Sequence, residues 1–176
     1  MCKGLRRTST LNSPVFFGYF VAFFVVFLDQ VTKYLIKKSI SLYHSVIIIP
    51  GFLNLVHIKN RGIAFGIFNS QAGTSSIGLI IISIVAVIFI GYLIFSEKKR
   101  GRFYCISLGM ILGGAIGNLI DRIIFGEVTD FIDVYIKEYH WPAFNFADMA
   151  ISVGGIFILL FIIKGKSHAS NSDSNR

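Results

Sequence analysis

The stretch IGLIIISIVAVIFIGYLIF, residues Ile77 to Phe95, decides the fold class, because it is long, strongly apolar and free of charged side chains. An α-helix needs about 20 such residues to cross the roughly 30 Å hydrocarbon core of a bilayer. Three further apolar runs, at residues 16–36, 103–120 and 147–163, are similar in character, the last with an aromatic lead-in from residue 140. The pattern predicts a membrane-embedded all-α bundle of four transmembrane helices.

The composition of the whole chain favours lipid as its surroundings. Of 176 residues, 54% are hydrophobic and 15% are charged, whereas soluble domains carry about 25% charged residues. The length allows a single membrane domain, residues 1–164, and a polar tail, residues 165–176, that is predicted to be disordered and cytoplasmic. The net charge of +8 comes from short basic clusters between apolar runs, so anionic lipid is a better partner than nucleic acid. The positions of Cys2 and Cys105 predict neither a disulfide framework nor a metal site.

The basic residues predict the orientation in the membrane. Ten of the 17 Lys and Arg residues lie in the N-terminal arm, the connection at 98–102 and the C-terminal tail, and seven lie on the other side. By the positive-inside rule, both termini are predicted to be cytoplasmic. The first span has no small-residue cleavage site after Leu28, so it is interpreted as a retained span and not a secretory signal.

The acidic residues are more unevenly divided than the basic ones. Asp29 closes the first span, Asp121 closes the third and Asp148 opens the fourth, so three helix ends bring carboxylates to about one depth. Seven of the nine acids fall on this predicted extracytoplasmic side: Asp29, Asp121, Glu127, Asp130, Asp133, Glu138 and Asp148.

The segment between the first two spans predicts a small extracytoplasmic β-cradle, at about residues 44–68. Val46–Ile49 and Leu53–Ile58 have the character of strands, and Pro50-Gly51 is typical of the turn between them. Residues 63–67 alternate large and small side chains, which would give a smooth strand face, although a lid without a specific role is an equal alternative. In the third span, glycines at 109, 113 and 117 have the spacing of close helix packing.

Asp148 has two interpretations. With Asn145 three residues earlier, it fits a helix capping box worth about 0.5 to 2 kcal/mol. Ionisable groups at membrane depth are costly, however, and point to function with a partner group. Asp130 is the natural partner, because two carboxylates in one pocket share a proton and thereby provide a general acid and a general base. The residues alone leave both interpretations open.

Other chemistries have weaker support in the residues. The four histidines show no HExxH or paired spacing, so no metal site or cofactor is expected. A Ser/Lys pair of Lys33 with Ser39 or Ser41 lacks a positioning motif. A transporter would place acids near the bilayer midplane within an inverted repeat, and neither pattern is visible. A structural assembly factor, with both aspartates as caps, is the remaining alternative.

The chain resembles the lipoprotein signal peptidase family, also called signal peptidase II, over nearly its full length. Five motifs occur in the family's order: DQVTK at 29–33, NRGIAFG at 60–66, GGAIGNLIDR at 113–122, VTDFI at 128–132 and FNFAD at 144–148. In the second motif the family usually has alanine where this chain has Ile63. This resemblance implies an intramembrane aspartyl protease of the bacterial inner membrane, which cuts prolipoproteins before a diacylglyceryl-modified cysteine.

The resemblance also implies roles for individual residues. Asp130 and Asp148 correspond to the catalytic aspartates. Residues that would bind substrate or support the site are Asn60, Gly62, Asn118, Arg122, Asn145, Asp29, Lys33 and Asp121. The implied partners are prolipoproteins, membrane lipids and cyclic peptide antibiotics such as globomycin, and the chain is expected to act as a monomer.

Overall fold

The structure is a computed structural model that describes residues 13–62 and 74–173. Four of its helices are long and apolar enough to cross a membrane. They are α1 (Pro14–Ser39), α2 (Thr74–Ser96), α3 (Arg102–Phe125) and α4 (Phe146–Asp173). The prediction of four long apolar helices is confirmed. Helices α1, α2 and α3 extend one to five residues beyond the predicted runs, and α4 continues ten residues past its predicted end.

The helix ends follow local chemistry. Proline occupies the first helical position of α1, where its missing N–H is no loss, and Lys37 and Lys38 lie in the last turn, where cations favour the helix dipole. Helix α3 ends at Phe125 and is capped by Gly126, which has φ 72° and donates its N–H to the carbonyl oxygen of Arg122 at 3.0 Å. A left-handed residue of this kind favours glycine and stops the helix.

Helix α3 lies at the centre of the bundle and packs against each of the other three helices. A side chain at Gly109 or Gly113 would collide with the backbone of Gly18 or Ala22 in α1, and one at Gly114 would collide with that of Ala147 in α4. The glycines therefore permit a close approach of backbones, as their spacing predicts.

The described strands form one antiparallel sheet in the order β1-β2-β3-β4. The strands are β1 (Ser45–Ile49), β2 (Leu53–Asn60), β3 (Val128–Ile136) and β4 (Tyr139–His140). The predicted hairpin is confirmed, with Gly51 at φ 77° in its turn. Strand β3, which carries Asp130, was not predicted as a strand; it pairs with β2 so that Ile58 lies opposite Asp130.

The sheet packs against the last turn of α1. Ile36 and Ile40 form a buried apolar cluster with Phe131 of β3, and Leu55 and Phe146 pack around it. This contact holds β3 beside the start of α4, and it therefore fixes where Asp130 lies relative to Asp148.

Two sequence predictions, the end of the β-cradle and the disordered tail, are not matched by a described structure of the predicted kind. Residues 63–68 of the predicted cradle lie outside the described residues. The tail from residue 165, predicted to be disordered, continues α4 as helix to Asp173. An end of helix that has already formed adds each further hydrogen bond without a new nucleation step, so even a polar tail can extend it.

Candidate active site

A buried ion cluster joins α1 to α3. The Nζ atom of Lys33 lies 2.9 Å from Oδ2 of Asp29, one helical turn earlier, and 3.3 Å from Oδ2 of Asp121. All three side chains are at most 1% exposed. A buried cation between two carboxylates is stable only with such direct pairing, because an unpaired charge would keep its full desolvation penalty.

The glycine stripe makes room for this cluster. A Cβ atom at Gly117 would lie 2.5 Å from Oδ2 of Asp29, so only glycine allows α1 to place the carboxylate there. Gln30 completes the cluster by donating from Nε2 to Asp29 at 3.1 Å, to Asp121 at 3.4 Å and to the carbonyl of Gly117 at 3.1 Å. The cluster is thus held from both helices.

The same carboxylates position the two segments that carry the predicted catalytic aspartates. Oδ1 of Asp29 accepts the backbone N–H of Ala147 at 3.0 Å, in the first turn of α4. Oδ2 of Asp121 accepts the backbone N–H of Thr129 at 3.1 Å, next to Asp130 in β3. The ion cluster therefore fixes the backbone on both sides of the site.

Asp148 forms the predicted capping box with Asn145. The backbone N–H of Asp148 donates to Oδ1 of Asn145 at 3.0 Å, and Oδ2 of Asp148 accepts the backbone N–H of Asn145 at 3.2 Å. The other carboxylate oxygen, Oδ1, accepts a hydrogen bond from Nδ2 of Asn118 at 2.8 Å. Asp148 is therefore both a helix cap and a member of a side-chain network.

Asp130 belongs to the same network. It is 2% exposed, and its oxygens accept hydrogen bonds from Nδ2 of Asn145 at 2.7 Å and from Nδ2 of Asn60 at 2.9 Å. Asn145 also donates to Oδ1 of Asn118 at 3.2 Å. Asn145 thus contacts Asp130 through its side chain and Asp148 through its cap, so the two carboxylates share one asparagine partner.

The surroundings of Asp130 favour its neutral form. Burial raises the pKa of this carboxyl from 3.8 to about 6, against the hydrogen bonds from Asn60 and Asn145, which lower it. The negative charge of Asp148 raises the pKa further. A carboxyl with a pKa near 6 can exchange a proton close to neutral pH, as acid–base catalysis requires.

Asn60 is oriented by the turn that follows β2. Gly62 donates its N–H to Oδ1 of Asn60 at 2.7 Å, so the amide NH₂ of Asn60 faces Asp130. Gly62 has φ 80°, and a side chain there would also collide with Leu79 of α2. The backbone conformation at this position therefore favours glycine, and a larger residue would also require the Leu79 side chain to move.

Arg122 lies at the edge of the network. Its Nη1 donates to the backbone carbonyl of Asn118 at 3.3 Å, and its charge interacts favourably with Asp148, Asp130 and Asp121. All ten residues that the sequence and the family resemblance assign to the site therefore lie at one end of the bundle. Gln30 was missed as a site residue, and the available signal was its place beside Asp29 in the first motif.

Two other acids on this side have partners of their own. Glu127 is paired with Lys59 at 2.5 Å and with Arg61 at 3.3 Å. Asp133 accepts hydrogen bonds from His140 at 2.8 Å and from Asn54 at 2.9 Å. Across residues 13–62 and 74–173, no three His, Cys, Asp or Glu side chains are grouped so that they could hold a metal ion.

Comparisons with known proteins agree over most of the chain. The family model described as signal peptidase II matches residues 21–164. A lipoprotein signal peptidase of Solibacter usitatus is 42% identical over 155 residues, which cover 88% of this chain and 94% of the relative. One from Maridesulfovibrio salexigens is 44% identical over 140 residues, with 79% and 90% covered.

A solved structure is similar in fold. It is a bacterial membrane enzyme determined by the in meso method, with 36% sequence identity and a TM-score of 0.76, and the match covers 86% of this chain and 90% of that one. The four apolar helices and the agreement with this enzyme identify a multi-pass membrane protein. Given the model match, the relatives and the shared fold, the chain belongs to the signal peptidase II family.

Proposed function

We propose that this protein is an aspartic endopeptidase that removes the signal peptide from diacylglyceryl-modified prolipoproteins by cutting before the lipidated cysteine. The observation that carries the proposal is the sharing of Asn145 by Asp130 and Asp148. Membership of the family supports the substrate class, since the relatives are lipoprotein signal peptidases.

The mechanism requires one proton on the pair of aspartates. The ionised carboxylate takes a proton from a water molecule as its oxygen attacks the scissile carbonyl carbon, and the protonated carboxyl donates its proton to the carbonyl oxygen. When the tetrahedral intermediate collapses, the C–N bond breaks and the leaving nitrogen takes the proton that came from the water. The hydroxyl proton returns to the other carboxylate, so the pair again holds one proton.

The asparagines hold the pair in place for these steps. Oδ1 of Asn118 accepts hydrogen bonds from Lys33 at 2.9 Å and from Asn145 at 3.2 Å, so its NH₂ group must face Asp148. Lys33 therefore acts as a positioning residue for Asp148 through Asn118. Arg122, at the edge of the network, is suited to bind the substrate backbone.

The protein is proposed to lie in the bacterial inner membrane with both termini in the cytoplasm, and the sheet would form a β-cradle on the extracytoplasmic side. The lipid on the substrate cysteine would keep the scissile bond at the membrane surface, which raises its local concentration near the aspartates. A monomer is sufficient in this scheme, and globomycin-type inhibitors would occupy the same cleft.

The test is cleavage of a purified diacylglyceryl-modified prolipoprotein in detergent, with the product's N-terminus identified by mass spectrometry. The wild type should release a product that begins with the lipidated cysteine, and it should leave the unmodified precursor uncut. The variants Asp130→Asn and Asp148→Asn should both be inactive, whereas Asp133→Asn, on the same strand as Asp130 but outside the network, should stay active. Loss of cleavage on addition of a chelator would contradict a mechanism without metal.

A further inference from the structure

The connection between α2 and α3 lies at the opposite end of the bundle from the aspartates, and it is densely basic. Lys98, Lys99 and Arg100 form a 3₁₀ turn and Arg102 begins α3, so four cations fall within five residues. All four are exposed. Glu97 offsets one charge, since it pairs with Arg100 at 2.7 Å. We call residues 98–102 the basic turn.

Three of these cations lie over aromatic rings that come from three different helices. A cation over a ring face gains about 0.5 to 1 kcal/mol at exposed sites, and it loses part of its side-chain freedom. The charges are therefore held at set positions before any partner arrives. The pairs are Lys98 with Phe95 and Arg100 with Tyr104, each at 5.2 Å from the ring centroid, and Arg102 with Phe17 at 4.9 Å.

The position of the basic turn relative to the spans indicates the partner. One candidate span ends at Ser96 and the next begins at Arg102, so the turn lies where the hydrocarbon core ends. Directly below it, Phe95 is 60% exposed and Phe103 is 50% exposed, so both rings are accessible from outside the bundle. A ligand here would meet cations at headgroup depth and an apolar surface at acyl-chain depth.

We propose that the basic turn binds an anionic phospholipid, with the phosphate against its four cations and the acyl chains along the exposed faces of α2 and α3. The net positive charge favours an anionic headgroup, and the rings hold three of the cations in place. Free inorganic phosphate shares the charge but lacks the acyl chains, so it should bind far more weakly.

The test measures lipid binding to the purified protein in neutral detergent by native mass spectrometry. Each cation near an anionic headgroup raises the affinity about fivefold. Wild-type protein should therefore bind phosphatidylglycerol at least about tenfold more tightly than phosphatidylcholine. Inorganic phosphate should not compete. The variant Lys98→Gln/Lys99→Gln should lose about 25-fold in affinity for phosphatidylglycerol. The matched control Lys37→Gln/Lys38→Gln, at the other end of the bundle, should change it by less than about twofold.

A second variant that preserves the charges is needed in case Lys98→Gln/Lys99→Gln fails to insert into the membrane. Phe17→Leu removes the ring below Arg102, keeps all the cations, and should weaken phosphatidylglycerol binding by about two- to fivefold. Equal binding of both lipids by the wild type, or equal losses in both lysine pairs, would overturn the proposal. Displacement by inorganic phosphate, or unchanged affinity in Phe17→Leu, would overturn it as well.

Discussion

Replacing Asp130 with asparagine is expected to make the folded protein more stable, although it should abolish cleavage. Each pH unit of a pKa change corresponds to about 1.4 kcal/mol, so a rise from 3.8 to about 6 costs the folded state about 3 kcal/mol once Asp130 is ionised. The sign follows from the raised pKa: stability falls as pH rises from about 4 to about 6, and stays lower above that range.

Asparagine is a close mimic of the neutral acid at this position. Like the protonated carboxyl, it offers one acceptor oxygen to the two donors Asn60 and Asn145. Neither side-chain amide can flip to present its oxygen, because Oδ1 of Asn60 accepts the N–H of Gly62 and Oδ1 of Asn145 accepts the N–H of Asp148. The variant accepts one hydrogen bond fewer than the ionised carboxylate, but the neutral acid has the same loss, so the raised pKa already includes it. The full gain in stability of about 3 kcal/mol should therefore appear above pH 7.

The assay is thermal unfolding in detergent at pH 4, 6 and 8. For a chain of this length, about 3 kcal/mol corresponds to a rise in Tm of roughly 6 to 12 °C at pH 8, and the difference from wild type should shrink toward zero at pH 4. Asp133→Asn is the control, because that carboxylate is bonded to His140 and Asn54 and its loss should lower the Tm. A variant Asp130→Asn that is no more stable than wild type at pH 8 would refute the reasoning.

Three further predictions concern the site. Gly117→Ala should lower the free energy of unfolding by about 1 to 3 kcal/mol, since the new methyl group meets Asp29. Gly155→Ala, with open space around it, is the control in the same unfolding assay. The ratio kcat/KM should fall as pH rises through about 6, because the singly protonated pair is lost as Asp130 ionises; a rate that is flat from pH 5 to 8 would contradict this. Asn118→Leu should lower kcat at least about a hundredfold with a smaller change in KM, by analogy with the loss of one active-site donor, and a rise in KM alone would show a binding role instead.

The spans and the hairpin could be predicted from the sequence because their signals are local. A long apolar run predicts a spanning helix, and Pro50-Gly51 between two apolar stretches predicts a turn. The apolar run of the third span was predicted to end at residue 120, with Asp121 and Arg122 closing the helix, because charged side chains resemble the boundary of a span. Asp121 is instead buried by its pairing with Lys33, and the helix continues to Phe125.

Strand β3 and the arrangement of the site depend on contacts between distant parts of the chain. Asp130 lies opposite Ile58 of β2, and no local pattern fixes that register. The pairing of Asp29 with Lys33, four residues apart, could be anticipated from helix geometry. The double role of Asn145 could not, because it requires α4, β3 and α3 to meet at one point.

The central claim is that Asp130 and Asp148 act as a single catalytic unit, and a double-mutant comparison of turnover tests it most directly. Single-turnover cleavage of the lipid-modified substrate should be measured for Asp130→Asn, for Asp148→Asn and for the double variant, each with its folding confirmed by thermal unfolding. The account predicts that each single variant falls to the background rate and that the double variant falls no further. Near-normal turnover in either single variant, or losses that multiply in the double variant, would contradict it.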